Sequence, residues 1–288
     1  MSETSSPSAI LLVSCPDGPG ILSAITGFIS EHNGNILELK EHVEPQEEVF
    51  LMRLEWDLEP FDLPRKKIGD AFRSVAESFS MDWSLHFSDD VPRMAIFASH
   101  ASHCLSDLLS RVEAGEWNVS IPVIISNHET LRPIAERHGI AYHHMPINDE
   151  NKREQEQKQI RILRENNVNV IVLARYMQIL TEPFVDHYRN QIINIHHSFL
   201  PAFPGANPYQ SAYERGVKII GATSHYVTEE LDAGPIIQQD VVPVSHEDHV
   251  SDLKRKGEDL EKIVLARAVR NHLQHRVLEY DGRTAVFD

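Results

Sequence analysis

With 288 residues the chain is longer than most single domains, so two domains are expected. Hydrophobic residues make up 41% and charged residues 24%, a mix that fits a globular protein with a buried core, and no apolar stretch is long enough to span a bilayer. The formal net charge of −16, with the acidic excess concentrated in residues 1–90, excludes nucleic acid or an anionic membrane as a partner held by the general field.

The opening MSETSSPS is polar and lacks an apolar signal core, so export is not expected and a cytoplasmic location is. The only cysteines, Cys15 and Cys104, form no CxxC, which fits a reducing compartment and argues against a disulfide framework or a cysteine-based zinc site.

The first element is the apolar run AILLVSC, residues 9–15, closed by PDGPG: a strand and a turn. Ile21, Leu22, Ile25, Phe28 and Ile29 then recur at helical spacing until Asn33-Gly34 stops the helix. Two strand-like runs follow, NILELKEHV and EEVFLMRLEW. A helix from about Pro64 to Ser78 and the run MDWSLHF complete the unit. The order βαββαβ within residues 8–88 predicts a ferredoxin-like sandwich.

SDDVPR, residues 88–93, is polar and reads as a linker. Beyond it MAIFAS, IPVIIS, AYHHMP and VNVIVLARY alternate with helical segments near 103–114, 129–138 and 152–166. That rhythm predicts a Rossmann-like, mostly parallel α/β domain over residues 93–288, with ligands beyond the carboxyl ends of its strands. VKIIGATSHYV and PIIQQDVVPV read as a strand pair. Ser245 and Asp248 make a capping-box-like start for a long helix to about His275.

QIINIHH is one of those strand ends. Asn194 and His196, two apart on a strand, share a face. An amide and an imidazolium both donate hydrogen bonds, and two donors converging on one point can stabilise charge growing on a carbonyl oxygen. The exit SFLPAFPGANP restricts φ at Pro201, Pro204 and Pro208 and limits movement there. Taken alone, the pair also fits a capped strand end with a packed histidine. Downstream, GATSHYVTEELDAGPIIQQ carries His225 and Asp232; the aspartate is either a turn former or a carboxylate that orients a water or an imidazole.

Together these segments resemble the catalytic domain of the 10-formyltetrahydrofolate-using enzymes. The carriers are Asn194-x-His196 followed by SFLP, then GATSHYV, then LDAGPII. The resemblance implies Asn194, His196 and Asp232 as the catalytic set, with His225 and His197 in support. It also implies folate contacts from Arg175, Tyr176, Met177 and Gln178, with the loop MPIND as a further candidate.

Within that superfamily the chain is most similar to the formyltetrahydrofolate deformylases. PDGPGIL and its βαββαβ unit resemble an ACT domain, and residue 197 is His where the transferases commonly have Pro. RMAIFASHASHCLSDLL also lacks the Gly-rich turn with which the ribonucleotide transferase holds a phosphate.

The implied reaction is hydrolysis of 10-formyltetrahydrofolate to formate and tetrahydrofolate, within one-carbon metabolism as a formate supply for purine synthesis. Folate is then the substrate, and no cofactor is expected. The competing readings are a formyltransferase with another acceptor and a non-catalytic amino-acid and folate sensor. The ACT resemblance implies a homo-oligomer, dimer or tetramer, and an amino-acid effector such as glycine or methionine at Asp17, Gly18 and Gly20. Those three residues read equally as a plain turn into a helix. Seventeen histidines include the pairs His143-His144 and His196-His197, but no HExxH, so no metal is expected.

Overall fold

The structure, a computed structural model, describes residues 6–201 and 208–288. Pro204 and the first five residues of the polar N-terminal stretch lie outside them. The chain divides into two compact units: residues up to Asp90 together with Gln274–Asp288, and Val91–Leu273.

The first unit runs β1 (Ser8–Pro16), α1 (Ile21–Glu31), β2 (Asn35–Glu44), β3 (Val49–Asp57), α2 (Arg65–Ser78) and β4 (Asp82–Phe87). Its antiparallel sheet has the order β2-β3-β1-β4, the expected ferredoxin-like arrangement. Alternation sorts the side chains. Ala9, Leu11, Val13 and Cys15 of β1 face the core, and so do Phe50, Met52, Leu54 and Trp56 of β3. Opposite them pack Ile21, Ile25, Phe28 and Ile29 of α1, with Ile68, Phe72 and Ala76 of α2.

The second unit contains β5 (Arg93–Ala98), α3 (His103–Glu113), β6 (Ser120–Ser126), α4 (Arg132–Arg137), β7 (Ala141–His144), α5 (Lys152–Glu165), β8 (Val170–Ala174), α6 (Glu182–Asp186), β9 (Ile192–His196), α7 (Pro208–Arg215), β10 (Ile219–Tyr226), β11 (Ile236–Pro243) and α8 (Val250–Leu273). The strand order is β11-β10-β9-β8-β5-β6-β7. Strands β5 to β9 pair in parallel, and β10 and β11 join antiparallel. β8 is buried along its whole length, as its continuous apolar run requires of a central strand. The chain starts at β5, builds outward to β6 and β7, then crosses to β8 on the other side. The carboxyl ends of β5 and β8 therefore form a topological switch point, where such sheets open a crevice.

Two expectations change. The last helix begins at Val250, not at Ser245. The Asp248 carboxylate accepts from Ser245 N at 2.7 Å, but this closes a separate turn. The helix start is tied by Asp252 accepting from His249 N at 3.1 Å. The domain boundary also moves. Residues Gln274–Asp288 belong with the first unit, where β12 (Val277–Tyr280) and β13 (Arg283–Val286) pair as a hairpin. The cause lies in β1 and β3, whose second face also carries apolar residues. Leu12 and Leu51 are covered by Phe287, with Leu278, Tyr280 and Ala285 around them. On that same face the buried Arg53 donates to the carbonyl of His275 at 3.0 Å and to the Glu38 and Glu55 carboxylates at 2.5 and 2.8 Å. A buried guanidinium needs such acceptors, and the C-terminal chain supplies one of them.

Candidate active site

At the switch-point end of the second unit lies a cleft of about 320 Å³. It is bordered by the chain from Leu173 to Leu180, by Asn194 to His197, by His225 and by Val227 to Asp232. Residues 145–149, the other loop considered for folate, are not among its lining residues.

Strand register accounts for the convergence. Asn194 and His196 are separated by one residue on β9 and face the same way. β10 pairs antiparallel with β9 so that His225 stands opposite Asn194 and Thr223 opposite His196. Cross-strand partners on one face meet, and the Asn194 amide nitrogen lies 3.1 Å from His225 Nε2. His225 Nδ1 lies 2.8 Å from the Tyr226 carbonyl. A carbonyl only accepts, so Nδ1 carries the proton and Nε2 is left as an acceptor. Nε2 then takes one hydrogen from the Asn194 NH2 group, which fixes the orientation of that amide and leaves its second hydrogen for the cleft.

Asp232 arrives from the β10–β11 connection. Its Oδ2 lies 3.2 Å from His196 Nδ1. Its Oδ1 is 3.8 Å from His225 Nε2, too far for a hydrogen bond. The hydrogen bond with His196 holds the Asp232 carboxyl below the usual carboxylate range, against the opposing effect of burial. Nε2 of His196 is buried and has no hydrogen-bond partner among the described residues. Leaving such an atom unpaired costs free energy unless a ligand or water completes it.

The backbone at Asp232 is left-handed, with φ 56°. Two residues on, Gly234 has no alternative: a Cβ there would lie 1.8 Å from the Tyr226 carbonyl oxygen. That same oxygen is the acceptor that sets the His225 tautomer. Gly234→Ala is therefore expected to push apart Tyr226, His225 and Asp232 together. Turnover at the cleft should fall at least about tenfold, with roughly 1–3 kcal/mol of destabilisation from the overlap, read as a lower Tm.

Burial pushes the His225 imidazole below its ordinary range, with the Tyr226 carbonyl and Asp232 opposing it. The unfolded chain takes up this proton near pH 6.5 and the folded one only at lower pH. The stability that His225 contributes is then complete above about pH 6.5 and is lost as pH falls through the folded value. Thermal melts at pH 7.5 and 5.5 should show a drop in Tm for the wild type that is smaller in His225→Asn; equal drops would contradict the assignment.

The folate candidates divide. Arg175 and Gln178 border the cleft half-buried, and Met177, Ile179 and Leu231 are large apolar residues open to solvent around it. Tyr176 turns inward: its ring packs edge-on against Phe97 at 5.2 Å and its hydroxyl accepts from Gln159 at 3.2 Å. Burial pushes its phenol up to about 12. What Tyr176 offers a ligand is its main chain.

Sequence reasoning missed Ser99. Its hydroxyl, at the end of β5, accepts from Met177 N at 3.0 Å and donates to Asn127 Oδ1 at 2.7 Å, so it pins the strand exit that walls the cleft. The only signal was its place at a strand end beside the switch point. In the first unit Asp17, Gly18 and Gly20 border a separate hollow with Ser23, Thr26 and Glu41. Gly20 precedes α1 at φ 92°, a conformation that favours glycine. Among the described residues His103, Cys104 and Glu261 place three ligand-type atoms within 4.8 Å of one another.

Residues 92–269 match the formyl transferase family, and residues 9–77 match the ACT domain. A formyltetrahydrofolate deformylase of Synechocystis sp. is 55% identical over 97% of this chain and 98% of its own length. One from Bacillus subtilis is 50% identical over 96% and 93%. The crystal structure of a formyltetrahydrofolate deformylase from Pseudomonas syringae pv. tomato superposes with a TM-score of 0.96 at 46% identity, covering 99% of this chain and 96% of that one. Relatives of that name match both units in the same order and nearly end to end, so the chain belongs to the formyltetrahydrofolate deformylase family.

Proposed function

We propose that the chain hydrolyses 10-formyltetrahydrofolate to formate and tetrahydrofolate in the cleft at the end of β8 and β9. The observation that carries the site assignment is His196 Nε2, buried and without a hydrogen-bond partner among the described residues, beside the second hydrogen of the Asn194 amide and backed by Asp232. The pterin and its linker lie along residues Arg175 to Gln178, against the apolar side chains of Met177 and Ile179. The formyl oxygen faces Asn194 Nδ2 and His196 Nε2.

Asp232, an ionised carboxylate, accepts the proton of a water held beside it. The water oxygen bonds to the formyl carbon, and the carbonyl electron pair moves onto the oxygen. Asn194 and protonated His196 donate to that oxyanion, while Nδ1–H of His196 donates to Asp232. The carbonyl re-forms and the carbon–N10 bond breaks with its electron pair going to N10, which takes a proton from His196 or solvent. The formic acid so released ionises to formate in solvent, the proton on Asp232 passes on to restore His196 or to solvent, and formate and tetrahydrofolate leave. His225 does not react; it holds the Asn194 amide with its NH2 toward the substrate. His197 stands beside His196, ring centroids 5.2 Å apart, as a further wall.

The turn at Asp17, Gly18 and Gly20 is read as the seat of an amino-acid effector, because the N-terminal NH groups of α1 suit a carboxylate. β2, an edge strand with Ile36 and Leu37 exposed, supports pairing of two copies through the first unit. Glycine and methionine titrations and light scattering test these two points.

The deciding experiment incubates the protein with 10-formyltetrahydrofolate and no acceptor, and measures formate. Stoichiometric formate and tetrahydrofolate are expected. Formyl transfer that requires an added amine would overturn the hydrolase reading in favour of a transferase.

A further inference from the structure

Behind the cleft stands a carboxylate that the reaction does not use. Glu261 of α8 is fully buried. An ionised carboxylate out of water needs partners, and Glu261 draws them from three segments. His103 Nε2, at the start of α3, is 2.8 Å from Oε2. The Tyr209 hydroxyl of α7 donates to Oε1 at 2.6 Å. Arg175, just past β8, brings Nε to 3.4 Å from Oε2. Burial would push the Glu261 carboxyl up, but the His103 bond, the Arg175 charge and the Tyr209 hydroxyl together hold it below its ordinary range.

One of these partners borders the cleft, and a second lies against a residue that does. Arg175 borders it directly. Its backbone sits at φ 61°, where a non-glycine residue needs support from its surroundings. Its Nε is buried with no hydrogen bond among the described residues, so the pull from Glu261 is ionic rather than directional. The Tyr209 ring lies against His197, centroids 6.0 Å apart, and His197 also borders the cleft.

The helix is cut to fit this arrangement. One turn before Glu261, a Cβ on Gly257 would lie 2.1 Å from the Tyr209 hydroxyl. α8 therefore omits a side chain where Tyr209 enters and presents a carboxylate one turn later. Cys104 is beside this cluster, but its thiol is pushed well up by burial and by Glu261, and a guanidinium already occupies the anion. The group is a carboxylate held by donors, not a cation site.

We propose that Glu261 is a positioning residue for the folate cleft. It fixes Arg175 and, through Tyr209, His197, and so keeps both walls in the shape that admits the folate without touching it. This rests on the deformylase reading of the cleft.

The test compares wild type, Glu261→Gln, Arg175→Met and the double variant in deformylation, with tetrahydrofolate binding followed by calorimetry in parallel. Glutamine keeps the volume and an acceptor for Tyr209 but removes the charge. If the charge acts through Arg175, Glu261→Gln raises KM and the tetrahydrofolate Kd about tenfold with kcat within about threefold, and the double variant is no worse than Arg175→Met alone. A KM within twofold of wild type, a loss confined to kcat, or additive effects in the double variant would overturn the proposal. Should Glu261→Gln not fold, Tyr209→Phe carries the same comparison, with about a threefold rise in KM and Kd expected and no change counting against it. A wild type that binds tetrahydrofolate but releases no formate would count against the deformylase reading alone, since the Kd ratios still decide the role of Glu261.

Discussion

Asp232→Asn is expected to lower the turnover of 10-formyltetrahydrofolate by about 10²–10⁴-fold, the range typical of a lost general base. Asparagine matches the aspartate in size and still offers an oxygen to His196 Nδ1, 3.2 Å away in the wild type, so the cleft keeps its shape. What disappears is the negative charge that accepts the proton of water. KM should change little, because the side chain meets the water rather than the pterin. Because His196 holds the Asp232 carboxyl below its usual range, the base is already ionised across the neutral region. Its protonation therefore limits activity only in acid, below about pH 4, the ordinary aspartate value. Formate release in single-turnover experiments from pH 5 to 8 checks both points; a variant that works at the wild-type rate would remove Asp232 from the mechanism.

His196→Ala should cost about 10²–10³ in kcat, the usual loss of one oxyanion donor, while tetrahydrofolate binding stays within a few-fold. The reason is geometric. Nε2 of His196 has no hydrogen-bond partner among the described residues and is free to meet charge that develops on the formyl oxygen. Asn194→Ala should behave alike. Since both donors serve one oxygen, the double variant should lose less than the product of the two single losses. Equal weakening of folate binding and turnover would show that His196 shapes the pocket and does not stabilise the oxyanion.

Local pattern was enough for several features. The βαββαβ order followed from strand and helix periods and from turn residues such as Asn33-Gly34, which act over a few residues. The burial of VNVIVLA in a central strand followed from its unbroken apolar run. Asn194 and His196 share a face because strand geometry has a period of two. Where a feature depended on packing between distant segments, the same reasoning fell short. Nothing near Ser245 says that its turn with Asp248 stops short of α8. The tail from Gln274 read as an extension of the second domain, because its hairpin is recruited by Leu12, Leu51 and Arg53, which are far away in the chain.

The residue types around the cleft, and the spacing of N-x-H and of Asp-Ala-Gly-Pro, were determined by the sequence itself, since backbone geometry and the chemistry of each side chain are local properties. The β9–β10 register that sets His225 against Asn194, the contact of Gly234 with the Tyr226 carbonyl, and the burial of Glu261 between Arg175, His103 and Tyr209 were decided only in the tertiary structure. Each of these is an encounter between segments far apart in the chain. Their energies come from exclusion of water and close contact, which no single stretch of residues carries on its own.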